Sequence, residues 1–375
     1  QSAKKIIAKE LEWIETFESC VFMFDQDEQG QKAAKECALL LSPGKAKIAY
    51  LPLKDASEML QAGRGHEIIQ AQFGAKIFRP DGIVSADTLW EKVSEVNDQE
   101  CIPYPWNGLN DKSGGIRTGE LVCLTAGTGI GKSSVCRELC YYLLNLDKKV
   151  GYIALEESVK RTAQGIIGLE LNKPIHLHGY EVDEATLKKG FDATLGRGGL
   201  TLYDHFGSTN ADNLLNKVRY MSVAMGAEYI ILDHLSIVVS GYEDGDERRR
   251  IDAVMTKLRS LVEELGICLF LVSHLKRPMN TSHEEGGQTS LAQLRGSQAI
   301  PQLSDIVLGF ERNQQDPKLA HVTTVRVLKN RYSGETGITC HLKYDRDTGR
   351  LHECEPSFEA STPNTNNKTK QTVPF

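Results

Sequence analysis

The sequence predicts an α/β fold with a central, mostly parallel sheet, preceded by a smaller α/β segment and a linker helix, and two features of its middle carry that expectation. The first is alternation. Short apolar runs at 121–125, 150–155, 200–206, 229–232 and 267–272 are separated by helix-like segments at 133–146, 158–171, 210–225 and 247–265. Strands this apolar, joined through helices, pair in parallel and are covered on both faces. The second is the run Val122 to Thr125, which breaks into Ala126, Gly127, Thr128, Gly129, Ile130 and Gly131 and then into Lys132, Ser133 and Ser134. A strand, a glycine-rich loop and a helix start in that order form a phosphate cradle. The three glycines let backbone N–H groups turn inward at the positive end of the helix. Lys132 is then expected on the terminal phosphates, and the Ser133 hydroxyl on Mg²⁺. The first position of this motif is usually glycine and here is Ala126, still small enough for the turn. A glycine-rich turn with an incidental lysine is the plain alternative, and the strand–loop–helix context argues against it.

In chain order, residues 1–74 read as a separate α/β piece. An amphipathic segment with Ile6, Ile7, Leu11, Ile14 and Phe17 comes first; because it starts at Gln1 without a methionine, the chain reads as a fragment or processed product. Residues 20–27 read as a strand that brings Asp25 and Asp27 to one side, a pair able to hold Mg²⁺ but expected to be catalytically idle here. A helix over 30–41, a strand over 46–51 and Lys54-Asp55 complete the piece. These residues resemble the C-terminal half of a toprim domain, the metal-binding core of primases and topoisomerases, whose further glutamate would lie upstream of Gln1.

Residues 75–105 read as a linker: a turn-rich joint at Gly74 and Pro80-Asp-Gly82, then a helix over 85–96 with Leu89, Trp90 and Val93 on one side. Such a stripe must be covered, by a neighbouring subunit or by its own domain. The main domain spans 106–355. Its last part, from Ile306, is strand-rich and hairpin-like, with Gly334 and Gly337 as turn signals. The tail 356–375, rich in Pro, Ser, Thr and Asn, is expected to be disordered.

Composition narrows the class. With 40% hydrophobic and 25% charged residues among 375, the chain reads as soluble and globular. No apolar run reaches membrane-spanning length and no signal-peptide layout opens the chain, so it is read as intracellular. Nine cysteines without a C-x-x-C pair read as reduced thiols. A net charge of −6 gives no global attraction to nucleic acid, so any basic surface must be local.

Residues at strand ends carry the expected chemistry. The strand 229–232 runs into Asp233, placed to act on Mg²⁺; capping of the next turn is the structural alternative. The strand 150–155 ends in Glu156-Glu157. Glu156 is the choice for the base that orients and deprotonates water, and Glu157 reads as an acid favoured by the helix dipole. Ser273-His274 ends a third strand, where His274 can sense the terminal phosphate. The loop 275–288 contains Lys276 and Arg277 and can grip a phosphate backbone, although Glu284 and Glu285 make a plain solvated loop a competitor. Lys329 and Arg331 follow the strand 322–328 and sit where they cannot easily reach their own phosphate loop; they can reach a neighbour's, as an arginine finger and its assistant.

Taken together, Leu155-Glu-Glu-Ser-Val159, Ile230 through Val239, Leu294-Arg-Gly-Ser297, Gln302-Leu-Ser-Asp305, Glu311-Arg-Asn-Gln-Gln315 and Lys329-Asn-Arg331 resemble the ring-forming replicative helicases of phage, the primase-helicases of T-odd phages to which mitochondrial Twinkle is related. The resemblance runs from the partial toprim segment to about Glu353. It implies a RecA-like P-loop NTPase core assembled as a hexamer or heptamer, with dTTP or ATP between subunits, single-stranded DNA in the channel and 5′ to 3′ travel. It implies Lys132 and Ser133 as phosphate and Mg²⁺ residues, Glu156 as base, Asp233 as second metal residue and His274 as γ-phosphate sensor. Arg331 with Lys329 would act in trans, Gln302 would couple nucleotide state to DNA, and Arg312 and Tyr344 would sandwich the nucleobase. Lys276, Arg295, Gly296 and Ser297 match DNA-contacting loops, beside Arg277. A replicative DNA polymerase and a single-stranded-DNA-binding protein are the implied partners, in the host bacterial cytoplasm if the chain is phage-encoded. The zinc domain and the first part of the primase are missing from the match, so primer synthesis is not expected. Lys368 and Lys370 stand before Phe375 where phage members have an acidic tail, a departure from charge-based polymerase docking. Two other classes compete: a RecA-like filament protein that uses NTP to switch DNA affinity without unwinding, and a degenerate scaffold, which the filled catalytic positions oppose.

Overall fold

The chain divides into two units, Gln1–Asp98 and Gln99–Phe375. The computed structural model describes residues 3–80, 86, 89–94, 101–204, 211–235, 247–276, 281–294 and 297–355. In the first unit the order is α1 (Ala3–Lys9), α2 (Leu11–Ile14), β1 (Cys20–Phe22), α3 (Glu28–Ala38), β2 (Ala46–Ile48), α4 (Ala56–Gln61), α5 (Gly65–Phe73), β3 (Lys76–Ile77) and α6 (Trp90–Ser94). β1 and β2 pair in parallel and β3 joins β2 antiparallel. Phe22, Ile48, Ala34 and Cys37 form the core between strands and α3.

The strand expected over 20–27 stops at Phe22 for a local reason. Asp27 is the N-cap of α3, its Oδ1 accepting from Gly30 N at 2.8 Å, so the chain leaves the extended state early to satisfy a helix end. Asp25 and Asp27 are therefore not an alternating pair on one strand face. The linker is also shorter than expected, because Lys76–Ile77 pairs within the first unit and Cys101–Ile102 within the second. Of the linker helix, Trp90 and Val93 are exposed. Residues 85, 87–88 and 95–96 of the expected helix, and the tail 356–375, lie outside the described residues.

The second unit continues with β4 (Cys101–Ile102), α7 (Asn107–Ser113), β5 (Ile116–Arg117), β6 (Leu121–Ala126), α8 (Lys132–Asn145), β7 (Val150–Ala154), α9 (Val159–Leu171), α10 (Glu184–Ala193), β8 (Leu200–Leu202), α11 (Ala211–Val223), β9 (Tyr229–Asp233), α12 (Glu247–Leu265), β10 (Cys268–His274), α13 (Ala299–Leu303), β11 (Ile306–Glu311), β12 (Val322–Asn330), β13 (Gly337–Tyr344) and β14 (Leu351–Cys354). Nine strands form one sheet in the order β14-β13-β12-β11-β6-β10-β9-β7-β8. It is parallel from β11 to β8, and β11 to β14 form antiparallel hairpins.

Alternation along β6 shows why this strand is central. Val122 and Leu124 pack into one apolar layer with Leu139 and Leu143 of α8; Leu121 and Cys123 pack into the other with Leu258 and Val254 of α12. All nine cysteines are free. The helix α10 had no counterpart in the periodicity, because Gly190 is the one residue that it buries; its local signal is the cap Asp183, which accepts from Thr186 N at 2.8 Å.

A parallel sheet has one carboxyl edge, and register decides what meets there. His274 lies opposite Ala126, and Ala154 opposite Asp233. The ends of β6, β10, β9 and β7 thus deliver the glycine-rich loop, His274, Asp233 and Glu156 to one place.

Candidate active site

The glycine-rich loop turns through Gly129 (φ 72°) into Gly131 (φ 105°), and α8 begins at Lys132. Left-handed backbone at both positions suits glycine. Gly127 is constrained differently: a Cβ there would stand 2.5 Å from the Cβ of His283. Lys132 is buried, and its Nζ donates to Ala126 O (3.2 Å) and Gly127 O (3.0 Å). Burial lowers its pKa, against the raising pull of Asp233 and Glu156. Ser133 Oγ donates to Asp233 Oδ2 at 2.7 Å, and burial raises the Asp233 carboxyl while that bond lowers it. A hydroxyl and a carboxylate in direct contact are hard oxygen donors, so this pair fits Mg²⁺.

Beside them, Glu156 Oε1 lies 2.6 Å from His234 Nε2, and the His234 ring meets His274 edge to face, with centroids 4.1 Å apart at 84°. Glu156, His234 and His274 each offer a ligating atom, all within 4.8 Å of one another. His234 carried no expectation from the sequence; the available signal was its place directly after Asp233. The reading of Glu157 as a helix-dipole acid is corrected. Ser158 is the N-cap of α9, so Glu157 precedes the helix, and its carboxylate takes Arg137 Nη2 at 2.6 Å and Thr162 Oγ1 at 2.8 Å. Arg137 also lies 3.2 Å from His176 Nε2, and burial, with Arg137 second, pushes His176 down to about 4.

On the other side of the loop, Arg312 Nη2 donates to Gly129 O (2.7 Å), as does Gln314 Nε2 (2.9 Å). Arg312, Tyr344, Gly129, Gly131 and Ser134 line a cavity of about 170 Å³ at the start of α8. Burial lowers the Arg312 pKa and raises that of Tyr344. Thr128 is exposed and Ile130 buried in the same loop.

The wall here comes from a stretch read as solvated or DNA-gripping. Among residues 281–290, His283 and Thr289 are buried, Thr289 N and Oγ1 both donate to Glu311 Oε1 at 2.8 Å, and Gln314 N donates to Glu284 O. Glu311 also pairs with Arg326 at 2.8 Å. This half of the loop is packing. Lys276 is exposed, with its backbone N on Gln293 O at 2.7 Å. Ser297 is a correction to the DNA-contacting set as far as its hydroxyl is concerned: the side chain is buried and donates to Asp252 while accepting from Ala299 N. Arg277, Arg295 and Gly296 lie outside the described residues.

Arg331, Lys329 and Gln302 are brought together at the opposite, amino edge. Arg331 N donates to Asp305 O, its Nη1 pairs with Asp305 Oδ1 at 2.8 Å and its Nη2 donates to Gln302 O at 3.0 Å. Lys329 Nζ donates to the carbonyls of Pro301, Gln302 and Ser304. Asp305 Oδ2 in turn accepts from Leu121 N, at the first residue of β6. Five steps of strand separate Leu121 from Ala126, roughly 16 Å at the usual rise, so this trio stands a sheet's width from its own phosphate loop.

Residues 102–353 match the model of the DnaB-like helicase C terminal domain. A DNA helicase/primase of Enterobacteria phage T3 is 40% identical over 367 residues, covering 95% of this chain and 64% of the relative. A replicative DNA helicase DnaB of Helicobacter pylori is 26% identical over 267 residues, covering 69% of this chain and 53% of the relative. The chain therefore spans less than two thirds of the length of these relatives. Among solved structures, a DnaB-like replicative helicase studied for its interactions with primase superposes with a TM-score of 0.59 at 16% identity, over 80% of this chain and 73% of that one, a likeness of fold. With a RecA-like core and a family match over most of its length, this chain belongs to the DnaB-like helicase C-terminal domain family.

Proposed function

We propose that the chain is the motor of a replicative DNA helicase, burning NTP at seams between identical subunits. The observation that supports this most is the division of labour across the sheet: phosphate, metal and base residues at the carboxyl edge, and Arg331 with Lys329 at the amino edge, roughly 16 Å away along β6. A cation that cannot reach its own phosphates is suited to a neighbour's.

In this reading Lys132 leaves the carbonyls of Ala126 and Gly127 for the terminal phosphates, while the inward N–H groups of the loop take the rest. Mg²⁺ held by Ser133 and Asp233 would neutralise charge on the transferring phosphoryl group. Glu156 orients water and takes its proton, and His274 senses the γ-phosphate. Arg312 and Tyr344 enclose the base. Arg331 and Lys329 of one subunit complete the next, and Gln302, whose carbonyl holds both, carries the change towards the DNA loops that include Lys276. A hexamer or heptamer around single-stranded DNA, 5′ to 3′ travel, dTTP or ATP as fuel, and a replicative polymerase and single-stranded-DNA-binding protein as partners follow from the resemblance to the ring helicases of phage. So does the host bacterial cytoplasm as its place; no described helix is long and apolar enough to cross a membrane. The first unit is read as a toprim remainder, with Asp27 engaged in capping.

The test is hydrolysis of the common NTPs and dNTPs with and without single-stranded DNA, run beside unwinding of a forked duplex. The expected result is DNA-stimulated turnover and strand separation from the 5′ tail. Turnover without unwinding, with open helical polymers in electron micrographs, would favour the filament reading instead.

A further inference from the structure

We propose that His234 is a positioning residue for hydrolysis: its Nε2–H sets the direction of the Glu156 carboxylate and couples it to His274. Glu156 lies just past β7 with its side chain 53% exposed, and an exposed glutamate explores many rotamers. A water-activating carboxylate needs one direction, because general-base catalysis depends on hydrogen-bond reach to the water. The neighbouring strand supplies it. Ala154 is paired with Asp233, and Leu155 N donates to Asp233 O at 2.7 Å, so the backbone register brings the residue after Asp233 beside the residue after Leu155.

The His234 ring is itself held. Its side chain is 5% exposed, and one face or edge is closed by His274 at 4.1 Å in a T-shaped contact. Its Nδ1 is buried and has no hydrogen-bond partner among the described residues. A buried bare lone pair is tolerated better than a buried bare N–H, which places the hydrogen on Nε2. From there the ring donates to Glu156 Oε1 at 2.6 Å, leaving Oε2 to receive a proton from water. His234 thus stands between the base and His274, and a displacement of His274 is passed to the carboxylate through one rigid ring.

The inference rests on Glu156 being the base. The experiment is steady-state hydrolysis by assembled rings with saturating single-stranded DNA, comparing His234→Ala, His234→Gln, His234→Asn and Glu156→Gln, with nucleotide binding and ring assembly measured on each. His234→Ala should lower kcat about 30-fold, part of the factor of roughly 10²–10⁴ that a general base supplies, with KM within about twofold. His234→Gln, whose amide nitrogen reaches the place of Nε2, should recover most of the loss; His234→Asn, one carbon shorter, should not. Wild-type kcat in His234→Ala, a change in KM alone, or equal losses in Gln and Asn overturn the proposal, and the Gln–Asn pair decides it if the alanine variant does not fold. Full turnover in Glu156→Gln would instead remove the base reading and this inference with it, whereas a dead Glu156→Gln beside an unaffected His234→Ala removes the inference alone.

Discussion

At the carboxyl edge of the main sheet, charged groups face one another: Lys132 lies near Asp233 and Glu156, Ser133 touches Asp233, and Glu156 touches His234. At the amino edge, Lys329 and Arg331 rest on the carbonyls that end α13 and on Asp305. The first edge is assembled inside one chain because parallel strands share a direction. The second holds its cations on main-chain carbonyls and one buried carboxylate, with the Arg331 side chain 52% exposed and burial, then Arg331, lowering the Lys329 pKa. Under the proposed function, one subunit contains a binding site and half of a charge-neutralising device, and the halves meet across a seam.

Arg331→Ala puts this contrast of edges under the greatest strain. Hydrolysis should fall about 10³-fold, as for other arginine fingers, while nucleotide affinity and rings persist. If Arg331 instead serves only to satisfy Asp305, the variant will melt earlier and bind nucleotide less without a selective loss of kcat. Mixing it with Lys132→Ala subunits gives a finer reading, since seams that join an intact loop to an intact Arg331 should regain turnover.

Gly127→Ala tests the wall of the carboxyl edge. The added methyl would meet His283 at 2.5 Å, so the loop or residues 281–290 must shift, at a cost of about 1–3 kcal/mol. Chemical denaturation should show this loss, and His283→Gly in the same chain, which removes the Cβ that the methyl meets, should relieve part of it; additive losses would show that the two do not press on each other.

The smallest expected effect separates structure from catalysis at the Glu156-Glu157 corner. His176 is pushed down to about 4, first by burial and then by Arg137. Unfolded, it takes a proton near its ordinary value, so the unfolded state gains protons first as pH falls. Stability should be full above about pH 6.5 and decline towards pH 4, by about 1 kcal/mol once solvent screening is allowed for. His176→Phe should flatten that part of the denaturation–pH curve, and an unchanged slope would assign the loss to other groups.

Much of the architecture was legible because its signals are local. The strand, loop and helix of the phosphate cradle lie within fourteen residues of one another, Leu121 to Ser134, and the helix over 247–265 showed its full length in its periodicity. Glu156, Asp233 and His274 were legible as strand-terminal residues, and the fold put them on one edge. Less was legible where a partner lies far along the chain. Glu157 looked like a helix acid until Arg137, 20 residues away, took its carboxylate. Ser297 matched a DNA-contacting loop, and Asp252, 45 residues away, takes its hydroxyl. The strand at 20–27 ended early because Asp27 capped a helix, a competition that alternation alone does not register.

From residue order alone come the strand-and-helix alternation, the glycine-rich turn with its lysine and serine, and the acids at strand ends, because each is a pattern of neighbours within a few residues. Only the tertiary structure decided that His234 meets Glu156 across 78 positions, that His283 leaves no room for a side chain at Gly127, and that Arg331 stands at the edge opposite its own phosphate loop. Those contacts depend on strand order and register, which are set by burial of both sheet faces at once and leave no trace in any short stretch of sequence.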